Sequence, residues 1–353
     1  MSLKLYLAAR KIKTIEQLGA KFMNKTNIDS LDLMKIMASF LVVGIHSELF
    51  LTLDSKFHLQ LLMLIARLAV PLFFISSSFL LARHLYLHKD SDFAIFNYVK
   101  RILQLYLFWL VGYGYFIIKA TLDSIKMNGW LLQNLVKGIL CFFLSGPRTM
   151  LLGWYLNASL FGAVFVYYWF RKKKRLGIVL ALLMFILIVI FSAYVPLRSF
   201  FQIQTSFFVG PLYFYVGELL FWLYRHNFHP KITLLVPVVF IIGLIAYYEI
   251  TVVNALKANS DQLFSYPILA GLLFILFLNI RIHLPHARWL RNLATYMYLS
   301  HYLLMKIFYN FLYFQIHDVI TRYLVIIFLV ILSYLLILWL QRYRWTHILI
   351  KAY

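Results

Sequence analysis

Acidic residues are scarce in this chain: 12 Asp and Glu stand against 34 Lys and Arg, and all charged residues together make up only 13% of the 353 positions. With 63% hydrophobic residues and a mean hydropathy of +0.82, that poverty of charge excludes a soluble domain and marks an integral membrane protein. The formal charge of +22 does not point to nucleic acid. Lys and Arg fall in short clusters between long apolar segments, which is the pattern of topology signals. Cysteine is almost absent. Cys141 alone can neither close an intramolecular disulfide nor build a thiolate metal site, which sets aside redox chemistry and structural zinc. Glycine and proline are few and mark no soluble domain boundary, and no internal repeat is visible, so the chain reads as one bundle.

What the chain does have is apolar length. Ten segments reach spanning length, near residues 32–52, 60–82, 102–120, 153–170, 176–196, 207–224, 232–250, 263–280, 293–313 and 321–341. The expected fold is therefore an all-α polytopic membrane helix bundle of about ten transmembrane helices. Residues 1–31 mix lysines with polar residues and are not a cleavable signal peptide. They read as a cytoplasmic N-terminal arm, with residues 32–341 as the transmembrane domain and 342–353 as a short cytoplasmic tail. With the N-terminus inside, the cytoplasmic segments carry roughly three times as many Lys and Arg as the outer loops, which puts both termini in the cytoplasm. The run from Arg171 to Arg175 is the densest of these clusters. Between the third and fourth spans, the apolar run from Trp130 to Leu144 is too short to cross and reads as an interfacial or re-entrant segment, placed to cover a site open to the outside.

Against this background, Lys35 and His46 in the first span stand out. They are eleven residues apart, about three helical turns, so they lie within roughly 20° of one face and about 16 Å apart along the axis. Asp32 and Ser39 share the stripe, since steps of three, four and seven residues return near one face. Ionisable residues inside a span mark a functional site by default; the alternative, left open by spacing alone, is a snorkelling lysine beside Asp32 and a satisfied bundle histidine.

A resemblance covers nearly the whole chain in order. Asp32, Lys35 three residues on and His46 eleven after that, within Leu31–Ala38 and Val42-Val43, are similar to the opening of the membrane acyltransferase family 3. Arg67, Val70-Pro71-Leu72-Phe73-Phe74 and Ser77 resemble that family's second-helix pattern. Arg101-Ile102 with Tyr106 and Trp109, Gly153-Trp154-Tyr155-Leu156, Tyr213 to Gly217, and Tyr298-Leu299-Ser300-His301 resemble its later elements. Two departures are visible: Ser78 stands where the family usually has glycine, and Thr295-Tyr296 lies one residue closer to His301 than the usual pair.

The resemblance implies transfer of an acyl group, usually acetyl, from a cytoplasmic acyl-CoA to a hydroxyl of a surface glycan or its lipid-linked precursor, in a bacterial plasma membrane. A neutral imidazole suits a general base for a weakly nucleophilic hydroxyl, and His46 is assigned that role, with a transient acyl-imidazole as the alternative. His301 is carried over as a further catalytic residue. Lys35, Arg101 and Arg83 are expected to anchor the phosphates of acetyl-CoA or another acyl-CoA, and about 16 Å of helix separates Lys35 from His46, within reach of an extended pantetheine arm. No metal is expected. A further extracytoplasmic domain, which completes transfer in some members of the family, is not expected here, so the chain acts alone or with a separate extracytoplasmic transferase.

Arg67, inside the second span, requires a wet cavity or an acid. Glu48, Asp54 and Glu218 are candidate partners, and a substrate or oxyanion contact is favoured over a structural ion pair. Glu48 falls about 200° around the helix from His46 and is not expected to touch it. Glu218 is read either as a structural partner or as a residue that orients a histidine. Ser77 and Trp154 are supporting residues. His84 with His88, His226 with His229, and His283 with His286 have metal-like spacing but lack a third ligand nearby, so they read as interfacial. Trp130 or Trp154 could stack on a sugar at the outer mouth. Two other functions stay open: a transporter for a glycan or an acyl-bearing solute, against which the lack of paired repeats counts, and an inactive sensing or interaction module, against which Lys35, Arg67 and His46 count.

Overall fold

A computed structural model describes residues 28–52, 56–87, 91–128, 132–147, 149–195, 202–311, 318–343 and 353. Most of the N-terminal arm, Asp54, His88, Trp130 and most of the C-terminal tail lie outside them. The described residues form helices and no strand, because in lipid a helix satisfies every backbone polar group within one segment. The helices are α1 (Asp29–His46), α2 (Lys56–Arg67), α3 (Ala69–Leu87), α4 (Ser91–Gly112), α5 (Gly114–Asn128), α6 (Leu132–Ser145), α7 (Gly153–Lys172), α8 (Lys174–Val189), α9 (Gly210–Arg225), α10 (Ile232–Ala255), α11 (Tyr266–Asn279), α12 (Ala287–Phe311) and α13 (Val319–Leu340).

Each of the ten expected segments falls largely on helix, but five are long and apolar enough to cross a membrane by themselves, or six if the bent pair α4 and α5 is one span. The shortfall has a physical cause. The helices that fall short are rich in charges and polar groups, as α1 and α12 are, or short, as α11 is.

Three interruptions shape the site. First, α1 ends at His46 rather than running on to residue 52, and a short 3-10 turn follows from Leu49 to Thr52. His46 therefore stands at a helix terminus and not in mid-helix. Second, the expected second span breaks between Arg67 and Ala69. Pro71 has no N–H to give to the Arg67 carbonyl four residues back, so one rung is missing there, while Leu68 N and Leu72 N keep theirs and residues 56–87 still pass as one crossing segment. Third, α4 and α5 meet at 63°, where Gly112 and Gly114 flank Tyr113 and weaken the helix.

The bundle centres on α3 and α9, with α1 packed against α3 and α12 side by side with α1. Small residues let backbones approach. A Cβ on Gly217 of α9 would lie 2.6 Å from the Ile75 carbonyl oxygen and 2.6 Å from Ser78 Cβ. Ser78 is thus accommodated in place of glycine because its opposite number has no side chain, and its hydroxyl donates to the Phe214 carbonyl. By contrast α10 and α13 are peripheral, each about 17% buried over its most apolar stretch. Helix α6 packs along α7 and Tyr106, through Asn157 Nδ2 donating to the Phe142 carbonyl and a Phe142 to Tyr106 ring contact. That contact docks it on the flank of the bundle, whereas the sequence suggested a cover over an open site.

Candidate active site

Helices α1 and α12 run parallel, and their register builds the site. Ser39 Oγ donates to the Ala294 carbonyl at 2.8 Å and also to its own helix at Lys35 O. Seven residues further along each helix, two full turns, come His46 and His301. Their rings stack with centroids 5.3 Å apart and planes 24° from parallel. Seven residues before Ser39 lies Asp32, and Arg291 on α12 reaches its Oδ1 at 3.8 Å. One seam thus carries a charged end, a hydrogen-bonded middle and a histidine pair.

His301 is fully buried, and its Nδ1 lies 2.9 Å from the Met297 carbonyl. A carbonyl can only accept, so Nδ1 carries the proton and the lone pair is on Nε2. That Nε2 is buried and has no hydrogen-bond partner in the protein. His46 is half-buried, and Tyr302 contacts it at 5.7 Å between centroids. Beyond Tyr302, the Lys306 ammonium sits over the Tyr302 and Phe116 rings at 5.1 and 5.6 Å.

Arg67 comes to the same end of the bundle by a different route from the one expected. Its partners are Asp261, at 3.2 Å, and the Ser260 hydroxyl, both bound through Nη1; its buried Nε has no acceptor. Glu48 is instead paired with Arg322 at 2.9 Å, and Glu218 with Lys174 at 2.7 Å. Glu218 therefore pairs with neither Arg67 nor a histidine, and ties α9 to the α7 to α8 junction. Asp261 belongs to the α10 to α11 connection, so the acid that answers Arg67 comes from there.

That connection is buried at Ser260, Gln262 and Leu263, and non-helical backbone at such depth must find its hydrogen bonds in the protein. Glu249 supplies two of them. Its carboxylate accepts from Phe264 N at 2.8 Å, Ser265 N at 3.0 Å and Tyr194 Oη at 3.0 Å, at the N-terminus of α11 where a negative charge is favourable. Tyr213 Oη donates to Gln262 and Tyr266 Oη to the Ser260 carbonyl, while Asn259 Oδ1 accepts from Asp261 N. These tethers present Ser260 and Asp261 to Arg67.

At the opposite end of α1, Lys35 is half-buried, and the charges that act on it are Asp32, Arg291 and Arg101. Lys35 and Arg291 thus flank the Asp32 carboxylate, whose Oδ2 is buried without a donor. Arg101 is exposed. Arg83 is not part of this group: it is buried beside Tyr224 of α9. Between the two ends lies an aromatic core. Ser77 Oγ and Tyr155 Oη share a hydrogen bond at 3.2 Å, Tyr155 and Tyr298 rings are 5.1 Å apart, and Trp154 packs on Phe74. Trp154 is therefore a core residue and not an exposed stacking platform.

Of the histidine pairs with metal-like spacing, His226 bonds the Trp222 carbonyl, His229 packs edge-on to Tyr224 and His283 meets Asp29 at 3.3 Å. No group of three or more metal-binding side chains occurs among the described residues. Sequence reading missed Arg291, Tyr302, Asp261, Ser260 and Glu249. Glu249 alone carried a signal, an acid inside an apolar segment; Arg291, Ser260 and Asp261 sit at or beyond span ends, where polar residues are ordinary, and Tyr302 is one of 25 tyrosines.

The family model for the acyltransferase 3 domain, described as an acyltransferase domain, matches residues 28–342. No curated protein and no solved structure matches the chain. The match takes in both charged ends of α1, the histidine pair and the Arg67 cluster, and the chain belongs to the acyltransferase 3 family.

Proposed function

We propose that this membrane acyltransferase moves an acyl group, acetyl in the simplest case, from a cytoplasmic acyl-CoA to a hydroxyl of a cell-surface glycan or a lipid-linked glycan. In this reading the bundle crosses a bacterial plasma membrane ten times with both termini inside, and the Asp32 end of α1 faces the cytoplasm. The observation that carries the proposal is the single seam of α1 and α12, with a cationic cluster at one end and an unprotonated, unpartnered imidazole nitrogen at the other.

Lys35, Arg101 and Arg291 hold the donor's phosphates, and the acyl thioester extends along the seam toward His46. Two routes fit the chemistry. In direct transfer, an imidazole nitrogen takes the proton of the acceptor hydroxyl as its oxygen attacks the thioester carbonyl, and the thiolate of coenzyme A leaves and is protonated. In the two-step route, His46 attacks the thioester, coenzyme A leaves, and the acceptor oxygen then displaces the imidazole while His301 Nε2 takes the hydroxyl proton. Two imidazolium rings stacked at 5.3 Å repel each other, so one ring at a time carries the extra proton. Arg67 is suited to the oxyanion that forms in either route, since its charge is fixed by Asp261 and one of its N–H groups has no acceptor.

The test is coenzyme A release and label transfer from labelled acetyl-CoA, by protein in proteoliposomes supplied with a cell-surface glycan fraction. Release that disappears in a folded His46→Ala variant is expected. A folded wild-type protein that releases coenzyme A from neither acetyl-CoA nor succinyl-CoA would overturn the proposal.

A further inference from the structure

A cleft of about 260 Å³ opens between α2 and α10, bounded by Lys56, Gln60, Arg67, Asn254 and Ser260 together with apolar Leu59, Met63 and Ile250. None of these but Arg67 has a part in the chemistry above. Three features bear on what the cleft holds. Its lining mixes amide, hydroxyl and cationic groups with an apolar wall, which is the composition that recognises a polyol with one apolar face. It ends on the Arg67 guanidinium, whose buried Nε–H has no acceptor, and Arg67 is held by Asp261 and the Ser260 hydroxyl. Its walls are peripheral helices, with Phe57, Ile65, Leu244 and Tyr248 exposed outward, so the mouth lies on the rim of the bundle and not along its axis.

We infer that this cleft is the acceptor subsite and that it takes one sugar ring at a time, entering between α2 and α10 with its hydroxyl toward Arg67. The volume sets the unit. Pockets that enclose drug-sized ligands begin at about 300 Å³, so a cleft of this size admits a ring and not a folded oligosaccharide. Gln60 is already committed through its Oε1 to Thr251 at 3.1 Å, which leaves its amide N–H groups as donors; Asn254 lies at the exposed lip. A sugar carried on a lipid and a sugar within a surface polymer present the same ring, and the experiment separates them. The inference deepens the acyl-transfer proposal and depends on it for the word acceptor, but binding at the cleft can be read without turnover.

The full-length chain with a benzophenone amino acid in place of Asn254 is irradiated in the membranes of cells that make it, and the adduct is identified by mass spectrometry. The same probe at Phe240, exposed further along α10, serves as control. A sugar-bearing adduct at position 254 and absent at 240 is expected, and the mass distinguishes a glycolipid from a glycan polymer. A phospholipid adduct alone, or no adduct, overturns the inference. In parallel, Asn254→Trp and Met63→Trp narrow the cleft from opposite walls, and each is expected to raise KM for the acceptor about tenfold, the signature of lost ground-state binding. Unchanged KM in both folded variants counts against the site. Coenzyme A release by wild type without a sugar adduct sinks the cleft and spares acyl transfer; a sugar adduct without coenzyme A release does the reverse.

Discussion

Replacing His301 by phenylalanine separates the chemistry of the histidine pair from its packing. The phenyl ring keeps an aromatic surface against His46, where the centroids now stand 5.3 Å apart, and removes both ring nitrogens. The structural loss is small: the Nδ1 bond to the Met297 carbonyl contributes about 1 kcal/mol, and the unsatisfied Nε2 imposes a burial cost that the phenyl ring lacks. The chemical loss is large. General acid–base groups supply roughly 10²- to 10⁴-fold, about 2.7 to 5.5 kcal/mol of barrier. His301→Phe is therefore expected to lower kcat/KM for acetyl transfer by at least about a hundredfold while the thermal midpoint falls only slightly. His46→Phe should do the same, and the double variant should be no worse than the poorer single one, since residues that act as a unit are not additive. Activity of a folded His301→Phe within about threefold of wild type would refute the reasoning, because no proton acceptor function of that size could then reside on Nε2.

At the other end of α1, Lys35→Arg is expected to retain more activity than Lys35→Ala, with the alanine effect falling on KM for acyl-CoA; equal loss would remove phosphate anchoring as the role. Arg67→Lys is expected to lose most activity, because a single ammonium cannot hold Ser260 and Asp261 and still offer the N–H that Nε provides. Near-normal rates would exclude an oxyanion contact. Glu249→Ala leaves the Phe264 and Ser265 amides without their acceptor, at about 1 to 3 kcal/mol each, and is expected to lower the unfolding temperature measurably and to depress activity through the displaced Asp261. Unchanged thermal stability in that variant would show that the loop does not depend on the tether.

The stripe of Asp32, Ser39 and His46 shows how far the sequence could be read. Helical spacing fixed that these side chains share a face of α1, because 3.6 residues per turn is a property of the backbone and needs no partner. The end of α1 at His46 was less accessible: Ser47, Glu48 and Thr52 interrupt the apolar run, but polar residues near a span end are ordinary and do not by themselves stop a helix. Arg67 shows the limit more sharply. Its position within an apolar segment announced that it needed a counter-charge, but of the acids weighed for it Glu48 and Glu218 are paired elsewhere. Asp261 is 194 positions away in the chain and reaches Arg67 because Glu249, Tyr213 and Tyr266 hold a non-helical loop inside the bundle.

The amino-acid sequence by itself determined the membrane class, the helical fold and the polar face of α1, since each follows from the cost of exposing charge or unpaired backbone to lipid and from the period of the helix. Only the tertiary structure decided that His301 stacks on His46, that Arg291 joins Lys35, that Glu218 pairs with Lys174 and that Asp261 answers Arg67. Those pairings depend on the register of one helix against another, and register is set by packing summed over whole faces, such as Ser39 on Ala294 and Gly217 on Ser78, which no local stretch of residues contains.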